Sequence, residues 1–242
     1  MKLHTFITRT FPLMLLAGIF MTSCVKDLRK KGSGVVITVD RNLDAFTDID
    51  ANGSFEIYTH AASDYSITIT TDDNMIEDVQ TFVQDGKLII EMDDDVWNYK
   101  YTEMELHIYT PSVARVDLNG SVEFEMTDTT YVDDFQLFHN GSGRAEVLFE
   151  GNNLHMEVNG SADMSVAGHS DFAKYIIHGS GKINALSLEA LTVEARIFGS
   201  GDIYTHCVND LDAEIDGSGN IYYTGSPSVD SSINGSGNVK PY

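Results

Sequence analysis

The side chains of this chain that could do chemistry are carboxylates, imidazoles and a few clustered aromatics. Glu146, Glu157 and Asp163 fall at outward positions of neighbouring candidate strands, with His155, His169 and His178 nearby in sequence. Breaking a glycosidic bond needs two carboxyl groups, or a carboxylate and a base, across one groove. No aligned acid–base set recurs along the chain, so no catalytic residue is expected, and a polysaccharide lyase or hydrolase is the lesser reading. The acidic runs Asp93-Asp94-Asp95, Asp72-Asp73 and Asp133-Asp134 could draw calcium, the only cofactor the composition suggests. They lack the alternating aspartates and the glycine of a calcium loop, so they read as solvated turns and no cofactor is expected. Trp97, Tyr99 and Tyr101 share one phase beside the longest acidic run. Such rings could stack on a sugar as a ligand surface, or form the apolar side of a structural cap.

The first 23 residues read as a signal peptide. A basic start with Lys2 and Arg9 precedes an apolar run, Phe11 to Phe20, too short to span as a mature helix. The exit, Met21-Thr22-Ser23-Cys24, resembles the lipobox of bacterial lipoproteins. That resemblance implies a lipid on Cys24, export, and anchoring to the outer membrane on its periplasmic or cell-surface side. Residues 24–31 then serve as a polar tether, and residues 32–242 as one domain. With Cys24 lipidated, Cys207 has no disulfide partner, and no Cys/His spacing reads as a zinc site. Removal of Lys2 and Arg9 from 15 basic residues leaves 13 against 37 acidic ones, a net charge near −24. Such a surface repels nucleic acid and anionic lipid, so the lipid anchor is the expected route to a membrane.

The elements that carry these residues are written in a repeat. A Gly-Ser pair, most often preceded by Asn, begins at Gly53, Gly120, Gly141, Gly160, Gly179, Gly199, Gly217 and Gly235. The last seven are spaced 21, 19, 19, 20, 18 and 18 residues apart. Before each glycine, every second residue is mostly apolar, as in Leu154, Met156 and Val158, or Val193, Ala195 and Ile197, with His139 and Ser231 in the same phase. After it the alternation resumes, as in Val122, Phe124 and Met126. Period two means a strand with one buried face, and a fixed short period means stacked units that bury their faces on each other. The fold expected is all-β: a right-handed parallel β-helix of about 18–21 residues per rung. Its seven regular rungs would rise about 4.8 Å each, roughly 30 Å in all.

Register gives the corner residues separate roles. The leading glycine never varies and is expected to need a positive φ or close backbone approach. The serines form an outward ladder beside Asn52, Asn119, Asn140, Asn159 and Asn234. Such residues suit turns by bonding nearby backbone, so the ladder reads as architectural rather than as a glycan-binding face. The second glycine, replaced by Phe55, Val122 and Ala162, reads as a small inward residue. Cys207 is expected at a rung edge, facing away from His206.

Between Gly53 and Gly120 the period breaks, and residues 60–110 read as a partly antiparallel N-terminal cap covering the open end. Tyr65 to Thr70 and Thr102 to Tyr109 read as strands, Asn74 to Val79 as one helical turn, and Asp85-Gly86 as a hairpin between Thr81 and Met92. Gly32-Ser33-Gly34 looks like a degenerate ninth copy of the repeat. Regular rungs are expected over residues 111–242.

Several segments together resemble the bacterial family of auto-transporter adhesin, head GIN domains, a domain of unknown function. They are Gly32-Ser33-Gly34-Val35-Val36, Phe46 to Tyr58, the hairpin at Asp85 to Ile90, and the Gly-Ser-Gly ladder. The resemblance spans about residues 32–240. It implies a right-handed β-helical domain found in envelope lipoproteins, and it carries no catalytic residue. The expected function is a non-enzymatic envelope lipoprotein that binds a glycan, polymer or protein partner as an adhesin. A structural protein that forms homo-oligomers is the other non-enzymatic reading, motivated by Val239 and Tyr242 near an exposed last edge.

Overall fold

The computed structural model describes residues 29–93 and 98–242. The leader, Cys24 and Trp97 lie outside the described residues. The described residues form strands and turns with no helix. Nine strands precede the regular stack: β1 (Arg29–Lys31), β2 (Val36–Asn42), β3 (Asp48–Gly53), β4 (Glu56–Ala61), β5 (Ser66–Asp72), β6 (Val79–Gln84), β7 (Lys87–Met92), β8 (Asn98–Lys100) and β9 (Met104–Thr110). The stack itself runs through β10 (Arg115–Met126), β11 (Thr130–Tyr131), β12 (Asp134–Gly160), β13 (Asp163–Gly179), β14 (Lys182–Gly199), β15 (Asp202–Gly217), β16 (Asn220–Gly225), β17 (Ser228–Gly235) and β18 (Asn238–Pro241).

Successive rungs pair in parallel and make a β-solenoid of about six turns. Gly53, Gly120 and Gly141 are register partners, as are Gly160, Gly179, Gly199, Gly217 and Gly235. Ser161 N–H donates to the Gly141 carbonyl at 2.9 Å and joins the two runs into one column. The column explains why no other residue stands there. At Gly179, φ is +128°, and a Cβ would lie 2.3 Å from the Gly160 carbonyl oxygen. Backbone stacking therefore excludes any side chain at this corner. The strand before each corner builds a first face of the solenoid, and the strand after it a second.

The apolar alternation lies inside, as its period requires. Val116, Leu118, Leu137, Met156, Ile177, Ile197 and Ile215 are all buried, as are Phe124, Met164 and Ile203 across the corner. Val229 and Ile233 keep the inward phase yet are 38% and 44% exposed, because no described rung covers them. Inward side chains are buried only where a further layer stacks on them.

Four expectations are corrected. Cys207 is not at an edge: it is fully buried, its thiol 3.2 Å from the Asp210 carbonyl, and burial pushes its pKa up. The second glycine is more than a small residue in the later rungs, since a Cβ at Gly201 would lie 2.4 Å from the Gly181 carbonyl oxygen. Gly32-Ser33-Gly34 is no ninth corner; it leads into β2, which pairs antiparallel with β5 outside the glycine column. Residues 73–78 form turns rather than a helical turn.

The cap extends both faces past the Gly53 rung. The outer edge of β3 pairs in parallel with β7, which pairs antiparallel with β6 through Asp85 and Gly86, both at positive φ. The outer edge of β4 pairs in parallel with β9, then β5 and β2 follow antiparallel. The small β1–β8 sheet stands apart. Side chains lock these layers. The solvent-inaccessible Asp72 carboxylate accepts from the backbone N–H groups of Gly34 and Thr102, both at 2.7 Å, and from the Thr102 hydroxyl. These donors, the Thr102 N–H first, hold its pKa below the usual carboxylate range.

Candidate functional site

Parallel stacking turns sequence offsets into columns on the outside. Five residues after the corner glycines, the second face carries Tyr58, Glu125, Glu146, Ser165, Asn184, Tyr204, Tyr222 and Lys240 in neighbouring layers. Three residues after them it carries Glu56, Glu123, Arg144, Asp163, Lys182 and Asp202. The β9 strand adds Glu105 beside Glu56 and His107 beside Tyr58.

Three adjoining open depressions follow these columns. One, of about 220 Å³, is lined by Glu56, Tyr58, Glu123, Glu125, Arg144 and Glu146. The next, of about 360 Å³, shares Glu125 and Glu146 and adds Thr127, Leu148, Ser165 and Asn184. The third, of about 240 Å³, shares Asn184 and adds Lys182, Leu186, Tyr204 and Tyr242. Together they make a groove across the rungs, roughly 24 Å from Tyr58 to Tyr204 at one sheet spacing per layer.

Aromatics close both ends. At one, Tyr204 and Tyr222 stack at 4.7 Å, with the Tyr242 ring edge-on to Tyr204 and the Lys240 ammonium 5.2 Å from the Tyr222 centroid. At the cap end Tyr58 stacks on His107 at 5.0 Å, and His60 on Tyr109 at 4.9 Å. Burial raises the Tyr58 pKa, helped by Glu56, Glu105, Glu125 and Glu123. Burial likewise raises that of Tyr204. The cap-side section of the groove is acidic, with Arg144 inserted among its carboxylates and 3.9 Å from Glu146.

The first face has a different character. Its charges are consumed by neighbours: Lys87 with Asp117 at 3.2 Å, Lys174 with Glu194 at 2.8 Å, and Arg196 with Glu194, Asp212 and Glu214. Arg115 pairs with Asp117 and covers the Phe138 ring at 4.3 Å. At the corner, Asn159, Asn140, Asn119 and Asn52 pass side-chain amide bonds along the stack at 2.9 Å each. These bonds close the amides on one another and give the ladder a structural use.

The residues singled out from sequence scatter. Glu146 lines the groove, whereas His155 and Glu157 sit together on the first face, 3.6 Å apart. His169 lies within β13, near Asp171 and Glu189, and His178 stacks on Phe198. Asp163 stands on the second face beside Arg144 and Lys182. Tyr101 packs against the cap core and donates its hydroxyl to the Ser54 carbonyl at 2.7 Å; the Tyr99 hydroxyl donates to the Asp93 carbonyl. Sequence reasoning missed Tyr58, Tyr204 and Tyr222, although all three stand five residues after a corner glycine and indexing would have aligned them. It also missed His60 and His107, which no period connects. Among the described residues no group of three or more His, Cys, Asp and Glu side chains is arranged to hold a metal ion.

A family model described as "Putative auto-transporter adhesin, head GIN domain" matches residues 45–227. Among solved structures, one of a putative adhesin from Bacteroides fragilis superposes with a TM-score of 0.84 at 26% identity, over 88% of this chain and 100% of that one. A putative lipid binding protein from Parabacteroides distasonis gives a TM-score of 0.71 at 22% identity, over 88% of this chain and 99% of that one. A putative adhesin from Parabacteroides merdae gives 0.67 at 23% identity, over the same shares of the two chains. At such identities the last two share the fold alone. No curated protein matches the chain.

Proposed function

The chain belongs to the auto-transporter adhesin, head GIN domain family, and from that premise we propose that it is a non-enzymatic recognition module of the cell envelope. It binds an extended ligand, a glycan or a protein segment, along the groove of the second face. The lipid on Cys24 tethers it to the outer membrane, and the solenoid holds the groove away from the lipid. The observation that carries this reading is the continuity of the three depressions, which share Glu125, Glu146 and Asn184 and end on half-buried aromatic rings, with Tyr242 exposed beside them. Open grooves with aromatic anchors suit polymer recognition, because stacked rings supply contact area at little entropic cost. Binding is favoured over catalysis because the residues considered for an acid–base pair are parted: Glu146 lines the groove, whereas Glu157 and His155 lie on the first face.

Immobilised glycans and matrix proteins, screened with the purified protein, test the reading. Tyr204→Ala and Glu125→Lys should each weaken a saturable ligand about tenfold or more, as truncation of an interface anchor does. Ser142→Ala, on the corner ladder, should leave binding unchanged. Equal loss in all three variants, or no saturable ligand, would count against the groove. A second reading, self-association, is favoured by Val229 and Ile233 exposed along β17. Sedimentation would reveal it, and a monomer at high concentration would exclude it.

A further inference from the structure

Four side chains from three adjacent layers form an unbroken hydrogen-bonded chain at the cap end of the groove. The Glu105 carboxylate lies 2.5 Å from His107 Nε2, His107 Nδ1 lies 2.8 Å from His60 Nε2, and His60 Nδ1 lies 2.9 Å from the Thr127 hydroxyl. That hydroxyl is also 2.8 Å from the Thr59 carbonyl oxygen. The ring centroids of His60 and His107 are 5.1 Å apart with planes 19° apart. This separation is the N···N distance plus two ring radii, so the nitrogens meet head-on, and the contact holds one proton and no metal.

Counting protons fixes what the chain can do. With both imidazoles neutral, Thr127 donates to His60 Nδ1, His60 Nε2–H donates to His107 Nδ1, and His107 Nε2–H donates to Glu105. Each ring nitrogen is then either donor or acceptor, as a neutral imidazole demands. One extra proton goes to His60 Nδ1. The Thr127 hydroxyl turns to the Thr59 carbonyl and becomes the acceptor, and every bond survives. A second extra proton makes both rings imidazolium and puts two N–H groups against each other at the 2.8 Å contact. That contact then opens, because both nitrogens are donors and both rings are positive.

The chain meets the groove at one end and through one of its rings. Tyr58, stacked on His107, lines its first section, and Thr127 lines the second. We propose that Glu105, His107, His60 and Thr127 form a proton-operated latch. It takes up one proton with its bonds intact, and a second proton parts the two imidazoles and loosens the grip of the groove on its ligand. The ligand effect rests on the groove reading above, whereas the latch itself does not. The charged and titratable groups around it are Glu56 and Tyr58 on β4, Glu105 and Tyr109 on β9, Glu123 and Glu125 on β10, and Asp128 just after β10. On the cap side Asp40 of β2 holds the hydroxyl of Thr68, the register partner of His107. Burial, with His107 adding to it and Asp128 opposing it, holds the His60 imidazole below its usual range. The first extra proton at its Nδ1 therefore already needs more acid conditions than an ordinary imidazole does, and the second follows at still lower pH.

Nitrogen-15 NMR of the imidazoles in the ligand-free protein, followed from about pH 8 to about pH 4, tests the latch. The pair should titrate in two macroscopic steps whose proton affinities differ by more than about tenfold. Thr127 should report the first step, in which its hydroxyl turns, whereas the backbone signal of Tyr58, stacked on His107, should move chiefly with the second. Independent titration of both rings in one ordinary step would overturn the proposal, as would movement of the Tyr58 signal chiefly in the first. His107→Gln should leave His60 with a single step. Thr127→Val removes a hydroxyl that donates to neutral His60 and accepts from its protonated ring. Because the bond to the charged ring is the stronger, the variant should lower the proton affinity of the first step up to about tenfold and leave the fold intact. If His107→Gln fails to fold, the unmodified protein and Thr127→Val decide the matter. A two-step latch in a protein whose groove variants bind normally would remove the groove reading and leave the latch standing.

Discussion

At Gly179 and at Asp72 the same task, holding one layer of strands on the next, is done by opposite means. In the regular rungs it falls to the backbone: carbonyl and N–H groups of identical corners stack so closely that a Cβ has no room. In the cap it falls to side chains that reach backbone groups far away in sequence. Asp72 ties residues 34 and 102, and the Arg41 guanidinium donates to the carbonyls of Val79 at 2.6 Å and Ile76 at 2.7 Å. A repeated unit can use one backbone solution at every layer. An end has a different neighbour on each side and must be closed by particular residues.

The difference can be broken at either end. The largest loss is expected from Gly179→Ala, which combines a positive φ with a carbonyl 2.3 Å from the new Cβ. About 3 kcal/mol or more should disappear from urea unfolding. Arg41→Ala should cost about 2 kcal/mol, the usual worth of hydrogen bonds made by a charged donor. Its signature should be local, with faster hydrogen exchange in β2 and β6 than in β13 and β14.

Asp72 sharpens the comparison through pH. Its folded pKa is depressed, so its contribution is complete above the ordinary carboxylate range and is lost as pH falls through the lowered value. Asp72→Asn should therefore destabilise the cap near neutral pH and flatten its acid sensitivity, which hydrogen exchange at several pH values would register. A smaller effect, about 1 kcal/mol in thermal unfolding, is expected from Asn140→Ala, which interrupts the amide ladder. Least of all, Arg196→Met should change stability by less than about 1 kcal/mol, and by less still in high salt, because its ion pairs are partly exposed. A large effect there would mean that the first face, and not the glycine column, holds the rungs together.

Much of this architecture was legible in the chain. The spacing of Gly120 through Gly235 gave the rung length, and the alternation around each glycine gave the buried phase of residues such as Met156 and Ile203. Asp85-Gly86 marked its hairpin correctly. The misreadings cluster where the period does not reach. Gly32-Ser33-Gly34 imitates a corner but has no rung on which to stack. Cys207 is expected at a rung edge, yet it keeps the inward phase and is buried. The candidate site was less legible. Trp97, Tyr99 and Tyr101 drew attention by being close in sequence, whereas the rings that border the groove are close only in space.

The sequence alone determined the repeating half of this protein. Where each layer has the same length, stacking partners are one period apart, and a column can be read by counting. The glycine column, the inward phase and the outward tyrosines at Tyr204 and Tyr222 all follow from that count. Only the tertiary structure decided how the cap continues the two faces. The strands β9 and β4 are joined by hydrogen bonds that no period encodes, and those bonds bring His107 to His60 across 47 residues. The groove follows the repeat, but the proton chain at its end exists because an irregular insertion folded back onto a regular edge.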